Sequence, residues 1–171
     1  MNMIASWQLI DFYLEQGSDH KGRTLADIWA MPNFWLEHTH DYIQWLFPIP
    51  EQSKFNQHAP VLTEVIRYHF AQNQQLRENQ QRSLDLMLEF YGLVRDGLRI
   101  GPSAGLNMRD YPWLKPGGHN HLRITRMIRS LHLCHQPELA KALQQAVLEI
   151  GESHGQISEK AKTYWRKATE T

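Results

Sequence analysis

The sequence predicts an all-α protein: one compact domain over residues 1–171, built from about seven to eight helices. A long irregular loop is expected before the helix that opens His119-Asn120-His121. Three observations predict this class. Apolar residues recur at intervals of three and four, the period of one helix face. Residues that start helices (Thr24, Asn33, Thr63, Asn120) and residues that stop them (Gly17, Pro32, Gly97) punctuate the apolar runs. No period-two alternation and no internal repeat is visible.

Each element follows from that pattern. Met3 to Gln16 places Ile4, Trp7, Ile10, Tyr13 and Leu14 on one face, with Gly17 set to end the helix. Thr24 precedes Leu25 to Trp29 as N-cap, with Asp27 at the capping-box position. Pro32 stops that helix, and Asn33 caps another that runs through Phe34, Trp35 and Leu36 towards Trp45. Phe47-Pro48-Ile49-Pro50 must leave helical geometry, because each proline removes a donor and restricts its predecessor. A loop continues to Pro60, and Thr63 opens a short helix over Glu64 to Phe70.

Asn73 to Val94 reads as the longest helix, with Leu76, Leu84, Met87, Leu88 and Tyr91 at helical spacing and an end at Asp96-Gly97. Gly101 to Gly118 holds four glycines and three prolines, an irregular loop pinned by Tyr111 and Trp113. Asn120 caps a helix to about Leu133, Pro137 starts one to Ile150, and Ser153 to Ala168 forms the last.

Composition narrows the function. The chain is 42% hydrophobic, enough for a core, which sets disorder aside. Eighteen basic residues balance eighteen acidic ones, so no long-range field attracts a polyanion and general nucleic-acid binding is disfavoured. Cys134 is the only cysteine, which excludes an internal disulfide and a Cys-rich zinc site and fits a reducing compartment. Asp11 interrupts the first apolar stretch, so no signal peptide is expected. No uncharged run approaches the roughly 20 residues of a membrane span. A cytoplasmic location is the expectation.

Two segments carry more information than periodicity. The first is His40-Asp41-Tyr42-Ile43-Gln44-Trp45-Leu46-Phe47-Pro48. Tyr42, Trp45 and Leu46 share a helix face, and His40, Asp41 and Gln44 bring polar groups beside it. One reading is a buried anchor whose indole and phenol need polar partners; the other is an aromatic pocket oriented by Asp41 and Gln44. The second segment is His119-Asn120-His121-Leu122-Arg123-Ile124-Thr125-Arg126-Met127-Ile128-Arg129-Ser130-Leu131. Arg123, Arg126 and Arg129 recur every three residues after a helix start, an arrangement that pairs with carboxylates from other helices or receives an anion.

Other chemistries find less support. Among the ten histidines only His132 and His135 have spacing that shares a helix face, and no Glu completes a zinc-protease pattern, so neither a metal nor any other cofactor is expected. Cys134 sits near a helix end whose dipole would not activate a thiolate. No Gly-rich phosphate loop, nucleophile elbow or telling acid pair is present, and no catalytic residue is named.

Both segments resemble the signature segments of the opioid growth factor receptor conserved domain. Weaker similarity in the same order includes Phe12-Tyr13, Ala59-Pro60-Val61-Leu62-Thr63 and Met87-Leu88-Glu89-Phe90-Tyr91-Gly92, so that the resemblance covers about residues 11–165. It implies a receptor-like module: animal members are described as receptors for an enkephalin peptide, associated with the nucleus and nuclear envelope, that restrain proliferation. This chain is similar to the bare-domain, bacterial branch, with Lys115-Pro116-Gly117-Gly118 in place of a more continuous polar approach to the second signature. The expectation is a non-enzymatic module for a peptide or protein partner, using His40, Asp41, Tyr42, Gln44, Trp45, Asn120, His121, Arg123, Arg126 and Arg129. The alternative is a protein, enzymes included, that binds a phosphate-bearing small molecule or nucleotide through Arg123 and Arg126, with His40 or His121 moving protons.

Overall fold

The computed structural model describes residues 3–170, with side chains from Ser6 onward. Ile4, assigned above to the apolar face of the first helix, lies outside the described side chains. The chain forms two compact units, one ending at Ser83 and the other beginning at Leu84.

In the first unit, α1 (Met3–Tyr13) packs against α5 (Glu64–Gln72). Leu9, Phe12 and Tyr13 are buried, and the Tyr13 hydroxyl donates to the Leu46 carbonyl. α1 ends before Gly17: the left-handed residue is Glu15, at φ 61°, and Gln16 N–H returns to the Asp11 carbonyl at 2.8 Å. α2 (Leu25–Trp29) has the capping box read from sequence, with Thr24 and Asp27 bonded reciprocally. The helix expected from Asn33 to Trp45 is instead two short ones, α3 (Asn33–His38) and α4 (Ile43–Leu46), and Pro32, not Asn33, is the N-cap of α3. Thr39 leaves helical geometry at φ -101°, ψ 128°. Thr63 caps α5, accepting from Ile66 N–H. Ile49 and Val61 form an isolated parallel bridge that closes the intervening loop at its base.

α6 (Gln74–Phe90) crosses the unit boundary. Before the boundary it carries Ser83, which accepts from the Trp29 indole at 2.9 Å, and Arg82, whose guanidinium lies 4.1 Å from that ring's centroid.

The second unit departs from an all-α reading. The long helix stops at Phe90, and β1 (Leu93–Asp96) pairs antiparallel with β2 (Arg99–Pro102). Gly92 at φ 73° and Gly97 at φ 62° take conformations that suit glycine, so the helix breaks where the sequence reading continued it. Among the described residues the fold is therefore predominantly helical with one hairpin. Arg95 makes a bidentate pair with Asp85 at 2.7 and 3.0 Å, which ties the hairpin to α6. A 3-10 turn, Pro112–Leu114, interrupts the loop before the second signature, and its Trp113 is buried with the indole on the Tyr91 carbonyl at 2.7 Å.

α7 (His119–Leu133), α8 (Pro137–His154) and α9 (Glu159–Lys167) pack together, and β2 lies against α8. α8 runs past Ile150 to His154, and α9 starts after Ser158, which caps it, rather than at Ser153. Trp165 from α9 is fully buried and donates to the His121 carbonyl at 3.1 Å. Among the described residues no helix is long and apolar enough to cross a membrane.

Candidate ligand-binding site

The first signature builds a cavity wall. α4 is a single turn; Tyr42 at its N-cap and Trp45 and Leu46 within it are all buried, as the spacing implied. Tyr42 is consumed by the fold: it is fully buried and its hydroxyl donates to the Leu36 carbonyl at 2.6 Å. Trp45 is 3% exposed and packs edge-on against Phe12, at 5.3 Å between ring centroids. Its Nε1–H has no hydrogen-bond partner. An unpaired buried indole N–H carries a desolvation cost, so it marks a place where an acceptor would be favoured.

A turn outside the signature supplies the facing ring. Asp19 organises residues 19–23, accepting from the Lys21 and Arg23 backbone N–H groups and from Arg23 Nε. This presents His20, whose ring stacks on Trp45 at 5.9 Å and 10°. His58, from the loop between Pro50 and Pro60, also stacks on His20, at 5.2 Å and 15°. The three rings border a cavity of about 540 Å³ that Gln8, Gln52, Gln57, Pro50, Ala59, Pro60 and Val61 complete. None of these ten lining residues is an Asp, Glu, Lys or Arg.

Charge lies behind the stack rather than in the cavity. Asp41 Oδ2 is 3.3 Å from His20 Nε2 and 2.8 Å from Lys21 Nζ, and Oδ1 is 3.0 Å from Arg23 Nη1. Burial pushes the Asp41 carboxyl up, but hydrogen bonds and charge from Lys21 and Arg23 outweigh it and hold the group at about 2. Asp41 therefore positions His20. Gln44 reaches back four residues, its Nε2 donating to the His40 carbonyl at 3.1 Å, while its Oε1 is buried without a partner. His40 itself is exposed. Asn56 Nδ2 and His20 Nδ1, in the same unit, are likewise buried and unpartnered.

The second signature belongs to the other unit. Asn120 is not an N-cap, since Gly118 holds that place; it is the second residue of α7, buried, and accepts from the Tyr91 hydroxyl at 3.1 Å. His121 is buried with Nε2 2.7 Å from the Trp113 carbonyl. Arg123 is only 5% exposed and shares the buried face with Met127 and Ile128, whereas Leu122 is exposed. Arg126 and Arg129 are half-buried, and Arg129 Nη1 donates to the Glu170 carbonyl at 3.1 Å. Arg123, Arg126 and Arg129 thus do not form one exposed row. His135 falls beyond the end of α7 at φ 67°, so it shares no helix face with His132. A small hollow of about 250 Å³, lined by Gly117, Gly118, Leu122 and Tyr164 among others, opens at the start of α7.

The comparison with known proteins accounts for both segments at once. The family model for the opioid growth factor receptor conserved region matches residues 10–169. The chain belongs to the opioid growth factor receptor family. Over 98 residues, 56% of this chain, it is 39% identical to the opioid growth factor receptors of mouse and human. It is 37% identical over 97 residues to the mouse opioid growth factor receptor-like protein 1. These matches span about 15% of the mouse receptor and 21% of the receptor-like protein, so the chain corresponds to a small part of its relatives. No solved structure matches it.

Sequence reasoning named Asp41, Gln44 and Trp45 as candidates and did not name His20 and His58, which the structure stacks beside Trp45. Both lie in loops far from the signature. The available signal was Asp19-His20-Lys21-Gly22, a turn-forming sequence, and a proline-bounded loop carrying His58.

Proposed function

We propose that this member of the opioid growth factor receptor family is a non-enzymatic binding module that captures a peptide or protein partner at the Trp45 cavity. The observation that carries the reading is the unpaired indole N–H of a buried tryptophan on the wall of an open cavity. A folded chain tolerates such a donor at a cost, and an acceptor on a partner relieves it. The stacked rings offer the rigid aromatic surface that dominates binding energy in interfaces. The absence of charged lining residues favours an uncharged part of the partner. The relatives' name points to opioid growth factor as one peptide for trial. The work of such a module is compatible with a cytoplasmic location.

The test is selection of a random peptide library, displayed on phage, against the whole chain. Sequences should enrich on the wild type and be lost on Trp45→Phe, which keeps a ring but removes the N–H. Circular dichroism checks that the variant folds. Enrichment of the same sequences on both proteins would overturn the assignment.

A further inference from the structure

The second signature leaves one of its residues outside the core. Asn120, His121 and Arg123 are buried, but Leu122, between them, is 66% exposed. A single exposed leucine needs no explanation. Leu122, however, forms one wall of the hollow at the start of α7, where Pro116, Ala161 and the half-exposed Tyr164 complete the apolar sides. The volume, about 250 Å³, is below the roughly 300–1,000 Å³ of small-molecule pockets and suits one apolar side chain. All these residues belong to the second unit.

The fold already uses most polar groups at the hollow. His121 Nε2 lies on the Trp113 carbonyl, and the Ser158 hydroxyl accepts from Ala161 N–H as the cap of α9. The charged residue of the lining is Lys160; no Asp, Glu or Arg lines the hollow. Lys160, Tyr164 and Lys167 follow one another at four and three residues, so a lysine flanks the tyrosine on each side along one exposed helix face. In a chain whose charges balance, α9 carries four basic residues and one acidic residue, Glu159. Glu159 and Glu152 both pair with Lys162, at 3.2 and 2.5 Å. Among the described residues neither Lys160 nor Lys167 joins an ion pair. Positive charge therefore rims an apolar hollow.

We propose that this hollow is a second docking site, distinct from the Trp45 cavity, for an acidic peptide segment of a partner protein that anchors one leucine- or phenylalanine-sized side chain in it. The anchor removes apolar surface of Leu122 and Tyr164 from water, and flanking Asp or Glu side chains reach Lys160 and Lys167. A basic segment would meet like charge with no lining carboxylate to receive it. An anionic bilayer would satisfy the lysines, but its flat surface leaves a concave hollow unfilled.

An array of short peptides tests this, each with a central Leu, Phe or Ser flanked by Glu, Gln or Lys, and probed with the whole chain. Peptides with Leu or Phe between Glu residues should bind, and those with Ser at the centre, or with Gln or Lys flanks, at least about tenfold more weakly. Fluorescence anisotropy should then show a Glu-flanked Leu peptide weakened about tenfold by Leu122→Ala and by Lys160→Glu, and unchanged by Trp45→Phe. Both altered residues are exposed, and circular dichroism checks that the variants fold. Added salt should weaken the peptide severalfold. Absence of binding by every Glu-flanked apolar peptide would overturn the proposal. So would binding that ignores both Leu122→Ala and Lys160→Glu, or that is lost with Trp45→Phe. Leu122-dependent sedimentation with vesicles of equal parts phosphatidylcholine and phosphatidylserine, without binding to the peptides, would overturn it in favour of a lipid surface. None of these failures touches the Trp45 cavity, whose own test turns on peptides that require Trp45.

Discussion

Replacing Asp41 by Asn keeps the shape of the side chain and removes the charge that Lys21 and Arg23 hold. The carboxyl sits at about 2 against an ordinary 3.8, a difference that corresponds to roughly 2.4 kcal/mol of interaction with the charged form. The Asp41 side chain is 20% exposed, so solvent screens part of that interaction and the expected loss is about 1–2 kcal/mol. The sign follows from linkage. A folded-state value below the unfolded one means the contribution is complete above about pH 4 and is lost as the pH falls towards about 2. Urea unfolding followed by circular dichroism at a series of pH values measures it. Wild type should exceed Asp41→Asn by about 1–2 kcal/mol at neutral pH, with the gap closing between about pH 4 and 2. Added salt should narrow the gap at neutral pH. A gap that stays level from neutral pH to pH 2 would refute the electrostatic origin and leave only the shape of the pocket.

Three other substitutions test the framework. Gly92→Ala forces a side chain into φ 73°, where a Cβ would lie 2.7 Å from Leu106 Cδ1, and should destabilise by about 1–3 kcal/mol in thermal melts. Thr24→Ala removes the capping box of α2 and should cost about 1 kcal/mol by the same measurement; no change would mean the cap is idle. Trp165→Phe removes the donor to the His121 carbonyl and leaves a gap in the second unit, for an expected loss of about 1–3 kcal/mol in urea unfolding.

Legibility in the sequence tracked how local the physics was. Thr24 with Asp27 and Thr63 with Ile66 are contacts within three residues, so the pattern alone locates them. Helix lengths depended on competing local choices. Leu84, Leu88 and Tyr91 keep helical spacing up to the point where Gly92 turns, so the apolar repeat gave no warning of the hairpin. Asp96-Gly97 was a hairpin signal that the helical reading absorbed as a stop. The break at Thr39 to Asp41 lacks a proline or glycine, and the ion pairs of Asp41 with Lys21 and Arg23, eighteen or more residues away, are not readable from spacing. The aromatic reading of the first signature named Trp45, which is buried and lines a cavity, without revealing its stacking partner, because His20 reaches it from a turn with no periodicity. The arginine repeat misled in a different way. An interval of three drifts around a helix, so Arg123 turns to the buried face while Arg126 and Arg129 are half-exposed.

The most direct measurement is the indole region of a nitrogen-15 NMR spectrum of the whole chain, with the Trp45 cross-peak identified by its loss in Trp45→Phe. During titration with a library-selected peptide that peak should move and saturate at the same concentration as binding measured by calorimetry. A stationary Trp45 peak under a saturating peptide, with shifts confined to other residues, would contradict a recognition site at this cavity.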